Sequence, residues 1–281
     1  MFRRGLLKEK RILVTGGGSG LGKVMAERFA GLGAEVVICG RRREVLETAV
    51  QDIGAKAADG GSASFIQLDI RDPEAVEARF DELFATRPLD ALVNNAAGNF
   101  LARTEKLSHR ALDAVLQIVV HGTLYCTHAC GRRWIANGQG GAVVSILASY
   151  AHHGSPYVVP SAIGKAAVKA MTRSLAIEWG KYGIRLNALT PGQFPTPGAT
   201  EKIYPVPGFV DQIVADNPLR RAGEMSELGN AAAFLLADEV AFINGEELVI
   251  DGGRWLQWAS VFGRLLDMEE ERWQAVEQTR R

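Results

Sequence analysis

Arg11-Ile12-Leu13-Val14-Thr15-Gly16-Gly17-Gly18-Ser19-Gly20-Leu21-Gly22 decides the fold. Its first five residues form a strand-length run with an apolar centre, Ile12-Leu13-Val14. Five glycines then fall within seven positions, and from Gly20 onward the pattern is helical. A strand that turns on glycines into a helix aims the helix's unbonded N–H groups at whatever lies over the turn. The glycines also let the backbone approach a pyrophosphate closely. A glycine-rich turn alone is equally a structural corner. Its place between a first strand and a first helix is what points to a dinucleotide site on Gly16, Gly18, Ser19, Gly20, Leu21 and Gly22.

The alternation continues along the chain. Strands are expected at 11–15, 34–39, 64–68, 89–93, 141–147, 184–189 and 247–250. Helices are expected at 20–32, 42–53, 73–86, 109–137, 160–180 and 226–236. Pro73 suits a first helical position. Apolar strands separated by helices read as a parallel sheet covered on both faces. Right-handed crossovers then give a doubly wound, Rossmann-like α/β fold of about seven strands. Residues 1–281 read as one domain, with a core at about 9–253. Pro191–Pro207 holds five prolines and reads as a loop, part of a substrate lid over about 191–220. Residues 254–281 read as a charged helical tail.

A chain of 281 residues with 47% apolar content can bury a full core. Its formal net charge is zero, which points to neither a nucleic-acid binder nor a membrane-surface binder. No apolar run approaches the ~18 residues that span a bilayer, so no membrane insertion is expected. The basic start MFRRGLLKEKR lacks the apolar segment of a secretory signal. The expected compartment is the cytoplasm, or an organellar matrix if a transit peptide has been removed. Three cysteines suggest a reducing compartment without a disulfide framework. Cys126, His128 and Cys130 do not share one helical face, so they read as buried helix and no metal is expected.

The end of strand two selects the dinucleotide. A carboxylate there would bond the ribose hydroxyls of NAD. Gly40-Arg41-Arg42-Arg43 stands there instead, and guanidinium suits a 2′-phosphate. Positive charge at a helix start is mildly unfavourable, which favours a functional reason for it. The expected cofactor is NADP(H), with Arg41 and Arg42 on the phosphate and Asp69 bonded to adenine.

Thr15–Gly22, Asn94-Asn95-Ala96-Ala97-Gly98, Lys165 and Pro191-Gly192 together resemble the short-chain dehydrogenase/reductase family. That family's Tyr-x-x-x-Lys pair is broken: Ser161 stands four before Lys165, and Ala148 holds the position of the family's serine. Asn94–Phe100 (NNAAGNF), Ser149-Tyr150-Ala151, Val158–Ala162 (VVPSA) and Glu178–Gly183 (EWGKYG) are similar to the NADPH-dependent 2,4-dienoyl-CoA reductases, especially the mitochondrial type. In that group a serine replaces the helix tyrosine, and the working tyrosine follows strand five, fifteen residues before the lysine. Tyr150 stands fifteen before Lys165.

The resemblance implies Tyr150, Lys165, Asn99 and Ser161 as catalytic residues. It implies Ile70, Asn95, Ala96, Lys165, Pro191, Gly192 and Phe194 at the cofactor. It implies Arg71, Phe100, Ser108 and Lys202 at an acyl-CoA substrate, and a homotetramer assembled through the long helices. The implied reaction reduces a 2,4-dienoyl-CoA to a 3-enoyl-CoA. Hydride enters the δ-carbon and charge spreads to the thioester oxygen, where Tyr150 and Asn99 act as an oxyanion hole. Lys165 holds the nicotinamide ribose. Tyr157 is the rival donor, and His152 and His153 read as exposed loop residues. Two other readings stay open: another NADPH reductase acting on an enoyl-CoA or a carbonyl, and a non-catalytic dinucleotide-binding protein.

Overall fold

The structure is a computed structural model that describes residues 2–196 and 208–278. Seven strands form one sheet: β1 (Arg11–Thr15), β2 (Glu35–Gly40), β3 (Ser62–Gln67), β4 (Ala91–Asn94), β5 (Gly141–Ile146), β6 (Ile184–Pro191) and β7 (Glu247–Ile250). Their order is β3-β2-β1-β4-β5-β6-β7, and every pairing is parallel. The winding reverses between β1 and β4, so the crevice beyond their C-terminal ends is the place for a ligand.

The continuous apolar run of β1 follows from burial on both faces. Ile12 and Val14 pack into one core with Met25, Phe29 and Leu46, while Leu13 packs into the other with Phe80, Leu92 and Trp134. Successive residues of a strand point to opposite faces, so Ile12, Leu13 and Val14 are apolar in succession. The first core lies under α1 (Gly20–Ala30) and α2 (Arg43–Lys56), the second under α3 (Pro73–Thr86). Asp72 caps α3 by accepting from Ala75 N at 3.0 Å, and Pro73 follows it. The core is thus the expected doubly wound Rossmann-like sheet.

Three segments differ from their sequence reading. The helix expected over 109–137 is α4 (His109–Leu116), a π turn (Gln117–Gly122) and α5 (Thr123–Ala136). The wider turn lies where the backbone is crowded: a Cβ on Gly122 would stand 2.6 Å from the Ile70 side chain. Isolated π turns of this kind are frequent at functional sites. Tyr150–His153 is a short helix, α6, and not a loop. Within the expected lid over about 191–220, Phe209–Ala215 is a helix, while residues 197–207, including Lys202, lie outside the described residues. Helices also form at Arg254–Ala259 and Glu270–Gln278. Cys126 and Cys130 face the core while His128 is exposed, so the three do not converge.

Candidate active site

The glycine turn is locked from below by β4. Asn95 Nδ2 donates to Thr15 O at 2.9 Å and to Gly16 O at 3.2 Å. Thr15 Oγ1 accepts from the N–H groups of Asn95 and Ala96, each at 3.0 Å. Gly16 has φ +65°, and a Cβ there would stand 2.9 Å from Ala96 Cα. A Cβ on Gly22 would stand 2.5 Å from Gly16 O. Both positions therefore require glycine for backbone contact. α1 starts beyond Ser19, whose extended backbone precedes the helix and whose hydroxyl makes no capping bond. The first-turn N–H groups thus keep their donor capacity toward the crevice, and this donor set fits the diphosphate of a dinucleotide.

Arg41 and Arg42 follow β2 and are exposed. Arg43 is engaged with Glu47 at 2.8 Å, whereas Arg41 and Arg42 make no ion pair among the described residues. Asp69 and Arg71, assigned from sequence to different ligands, hold each other. Arg71 Nε lies 2.9 Å from Asp69 Oδ1 and Arg71 Nη2 lies 2.5 Å from Asp69 Oδ2. The hydrogen bond from Arg71 holds the Asp69 carboxyl below its usual range, against the opposing effect of burial. An Arg71 that turned to a phosphate would release Asp69. Ile70 between them is buried beneath Gly122.

The polar centre lies between β5, α6 and α7 (Val159–Trp179). Tyr150 Oη lies 2.9 Å from Ser161 Oγ. Ser161 and Lys165, one turn apart on α7, are both buried. Lys165 Nζ donates to Ile146 O, the last residue of β5, at 2.5 Å. Burial pushes the Lys165 ammonium down to about 8. Asn99, in the loop after β4, accepts the Phe100 N–H on Oδ1 at 2.9 Å, so its Nδ2 is the atom left to donate. Tyr157 stands apart: the residue is 54% exposed, its φ is +67°, and its carbonyl accepts from Ala102 N at 3.0 Å.

Other expected residues have local jobs. Ser108 caps α4 by accepting from Ala111 N at 3.2 Å. Phe100 is exposed at the crevice loop. Pro191 pairs with Ile250, and Gly192 N donates to Ile250 O at 2.9 Å. Phe194 lies against Gly223, where a Cβ would stand 2.4 Å from the ring.

Sequence reasoning missed one cluster. His152 is not an exposed loop residue: its side chain is 16% exposed and bonds Glu247 Oε1 at 2.5 Å. Its other ring nitrogen meets Lys169 Nζ at 2.5 Å. The available signal was Lys169 itself, one turn beyond Lys165 on the same face of α7.

Residues 16–254 match the family model described as enoyl-(acyl carrier protein) reductase. The chain is 43% identical over 259 residues to a Caenorhabditis elegans protein named "Probable 2,4-dienoyl-CoA reductase 3", (3E)-enoyl-CoA-producing, covering 90% of this chain and 83% of that one. It is 42% identical over 252 residues to a Bacillus subtilis protein named "Probable 2,4-dienoyl-CoA reductase", (2E)-enoyl-CoA-producing, covering 89% and 98%. Among solved structures it resembles a short chain dehydrogenase from Bacillus anthracis, with TM-score 0.80 and 39% identity over 88% of this chain and 97% of that one. It also resembles a candidate NAD(P)-dependent gluconate 5-dehydrogenase from Beutenbergia cavernae crystallised with NADP at low occupancy, with TM-score 0.83 and 32% identity over 92% and 100%.

Proposed function

The chain belongs to the short-chain dehydrogenase/reductase family, and from that premise we propose that it is an NADPH-dependent 2,4-dienoyl-CoA reductase yielding a 3-enoyl-CoA in unsaturated fatty acid β-oxidation. The observation that carries this reading is the 2.9 Å contact between Tyr150 Oη and Ser161 Oγ, one turn before the buried Lys165. A tyrosine from the segment after β5 reaches the helix position that Ser161 leaves short.

When bound, the reduced nicotinamide supplies a hydride, which enters the δ-carbon of the diene. Tyr150 Oη and Asn99 Nδ2 donate to the thioester oxygen as negative charge reaches it. Fixed donors at that oxygen are already oriented before the charge develops, which is why they lower the barrier. Lys165 binds the nicotinamide ribose, and Ser161 orients the Tyr150 hydroxyl. A proton from water at the α-carbon completes the 3-enoyl product. The Gly16–Gly22 turn, Asn95 and Ala96 hold the diphosphate side, and Arg41 and Arg42 receive the 2′-phosphate. Arg71, Phe100 and Lys202 take the acyl-CoA. The same reading assigns a homotetramer and a cytoplasmic setting. No described helix is long and apolar enough to cross a membrane.

Cofactor choice has a direct test. A charge-assisted hydrogen bond contributes roughly 1.5–3 kcal/mol, about one to two decades in affinity. NADPH should therefore bind more tightly than NADH by about that factor, and Arg41→Ala should narrow the gap. Fluorescence titration of both cofactors checks this, and equal affinities in the unmodified protein would remove the assignment.

The substrate test compares a dienoyl-CoA, a monoenoyl-CoA and a ketone. Loss of dienoyl absorbance should match NADPH oxidation mole for mole. Product analysis should find the 3-enoyl and not the 2-enoyl thioester. Efficient ketone turnover without dienoyl-CoA turnover would replace this reading with that of a carbonyl reductase.

A further inference from the structure

We propose that His152, Lys169 and Glu247 form a brace that fixes where the Tyr150 hydroxyl stands, which makes His152 a positioning residue for the reaction. The proposal rests on the assignment of Tyr150 as the oxyanion donor.

α6 spans only Tyr150–His153. A single turn fixes several dihedrals for very few hydrogen bonds and does not persist on its own. Tertiary contacts must therefore set its orientation. Tyr150 ties the turn to α7 at Ser161. His152 ties the same turn to α7 again at Lys169, eight residues further on, and to β7 at Glu247. Eight residues of α-helix span roughly 12 Å. A one-turn segment anchored at two separated points of one long helix cannot roll about its axis, so Tyr150 keeps its direction.

His152 meets both partners: Lys169 Nζ lies 2.5 Å from Nδ1 and 3.2 Å from Nε2, and Nε2 lies 2.5 Å from Glu247 Oε1. Lys169 Nζ also lies 3.3 Å from Glu247 Oε2, which closes the cycle. Thr190 Oγ1 donates to Glu247 Oε1 at 2.7 Å. Burial pushes the Glu247 carboxyl up, but the hydrogen bonds from Thr190 and His152, with the charge of Lys169, outweigh it and hold the group below its usual range. The Trp255 ring lies on the His152 ring at 4.0 Å between centroids, so the first turn of the C-terminal tail covers the brace.

The three side chains are only 6–17% exposed. Buried charged clusters are costly to desolvate and contribute little net stability; their best-attested use is to fix one arrangement. Here the arrangement fixed is that of the turn carrying Tyr150.

The test is His152→Ala, His152→Gln and Lys169→Met in the full chain, with steady-state kinetics, NADPH titration, thermal melting and a crystal structure of His152→Ala with NADPH. His152→Ala should lower kcat about 10- to 100-fold, the range expected when a reacting group is misplaced by about an ångström. KM and NADPH affinity should stay within about twofold. His152→Gln keeps a donor for Glu247 and should recover part of kcat. Lys169→Met, which cuts the brace from the other side, should lower kcat in the same manner and serves where His152→Ala does not fold. In the variant structure Tyr150 Oη should have left Ser161. Unmodified kcat in either truncation would overturn the proposal. So would parallel losses of kcat, NADPH affinity and melting temperature, which would mean general damage. If the unmodified protein does not reduce dienoyl-CoA, the substrate reading fails alone. The brace is then judged by the crystal structure, where Tyr150 remaining 2.9 Å from Ser161 would sink it.

Discussion

Tyr150→Phe should lower kcat for a 2,4-dienoyl-CoA by about 10²–10³, equivalent to about 2.7–4 kcal/mol, the loss that follows removal of one oxyanion donor. The substitution keeps the ring and deletes one oxygen, so packing around α6 should be unchanged. NADPH affinity should also hold, because the ribose contacts belong to Lys165. Both kcat and kcat/KM should fall together, the mark of an interaction made in the transition state and not in the ground state. Ser161→Ala should cost much less, since it removes only the group that orients the phenol at 2.9 Å. Tyr157→Phe should cost least, because that residue is half exposed and held in a separate loop by its backbone. Ser161→Tyr should not rescue Tyr150→Phe. Ser161 is 2% exposed, and a phenol built there has no space that the Tyr150 ring does not already limit. A fully active Tyr150→Phe enzyme beside an inactive Tyr157→Phe enzyme would show that the wrong tyrosine was assigned.

The sheet was legible because each of its signals is local. An apolar run bounded by glycines, repeated between helical patterns, has few other folded solutions once both faces must be buried. The glycine turn was legible for the same reason, although its lock was not. Asn95 reads as a cofactor residue in sequence, yet its side chain is spent on Thr15 O and Gly16 O. The π turn at Gln117–Gly122 was not legible in the sequence. It responds to tertiary crowding at Ile70 and Gly164, which the helix's own residues do not encode. Asp69 and Arg71 show a different limit. Each had a plausible ligand, and nothing in the sequence ranks a ligand contact against a two-residue ion pair that satisfies both groups at once. His152 was missed because its partners are 17 and 95 residues away, and only Lys169, one turn beyond Lys165, pointed toward them.

Lys165→Met should separate what the buried ammonium does for the cofactor from what it costs the fold. NADPH affinity should fall by about one to two decades, as expected when a charge-assisted hydrogen bond is lost, and kcat should fall with it. Stability should move the other way. Burial lowers the Lys165 pKa from 10.5 to about 8, so between those values the unfolded chain carries a proton that the folded protein has given up. Stability rises with pH wherever the unfolded state binds more protons. The desolvation penalty is therefore fully present below about pH 8, where both states are charged, and is relieved as pH rises from about 8 toward 10.5. Met fills similar space without a charge, so the variant without cofactor should be at least as stable as the unmodified protein at pH 7. It should also lack the Lys165 contribution to the rise in stability above pH 8. Urea unfolding of both proteins at several pH values from 7 to 10, without cofactor, measures this directly. In the unmodified protein, NADPH affinity should decline as the pH passes about 8 and the ammonium is lost, and the variant should lack that decline. A Lys165→Met protein that is less stable yet binds NADPH normally would mean that the lysine is a structural strut between α7 and β5. Its bond to Ile146 O would then be its main role. A protein that is more stable and inactive would mean that a charge is kept buried, against its solvation cost, for what it does at the ribose.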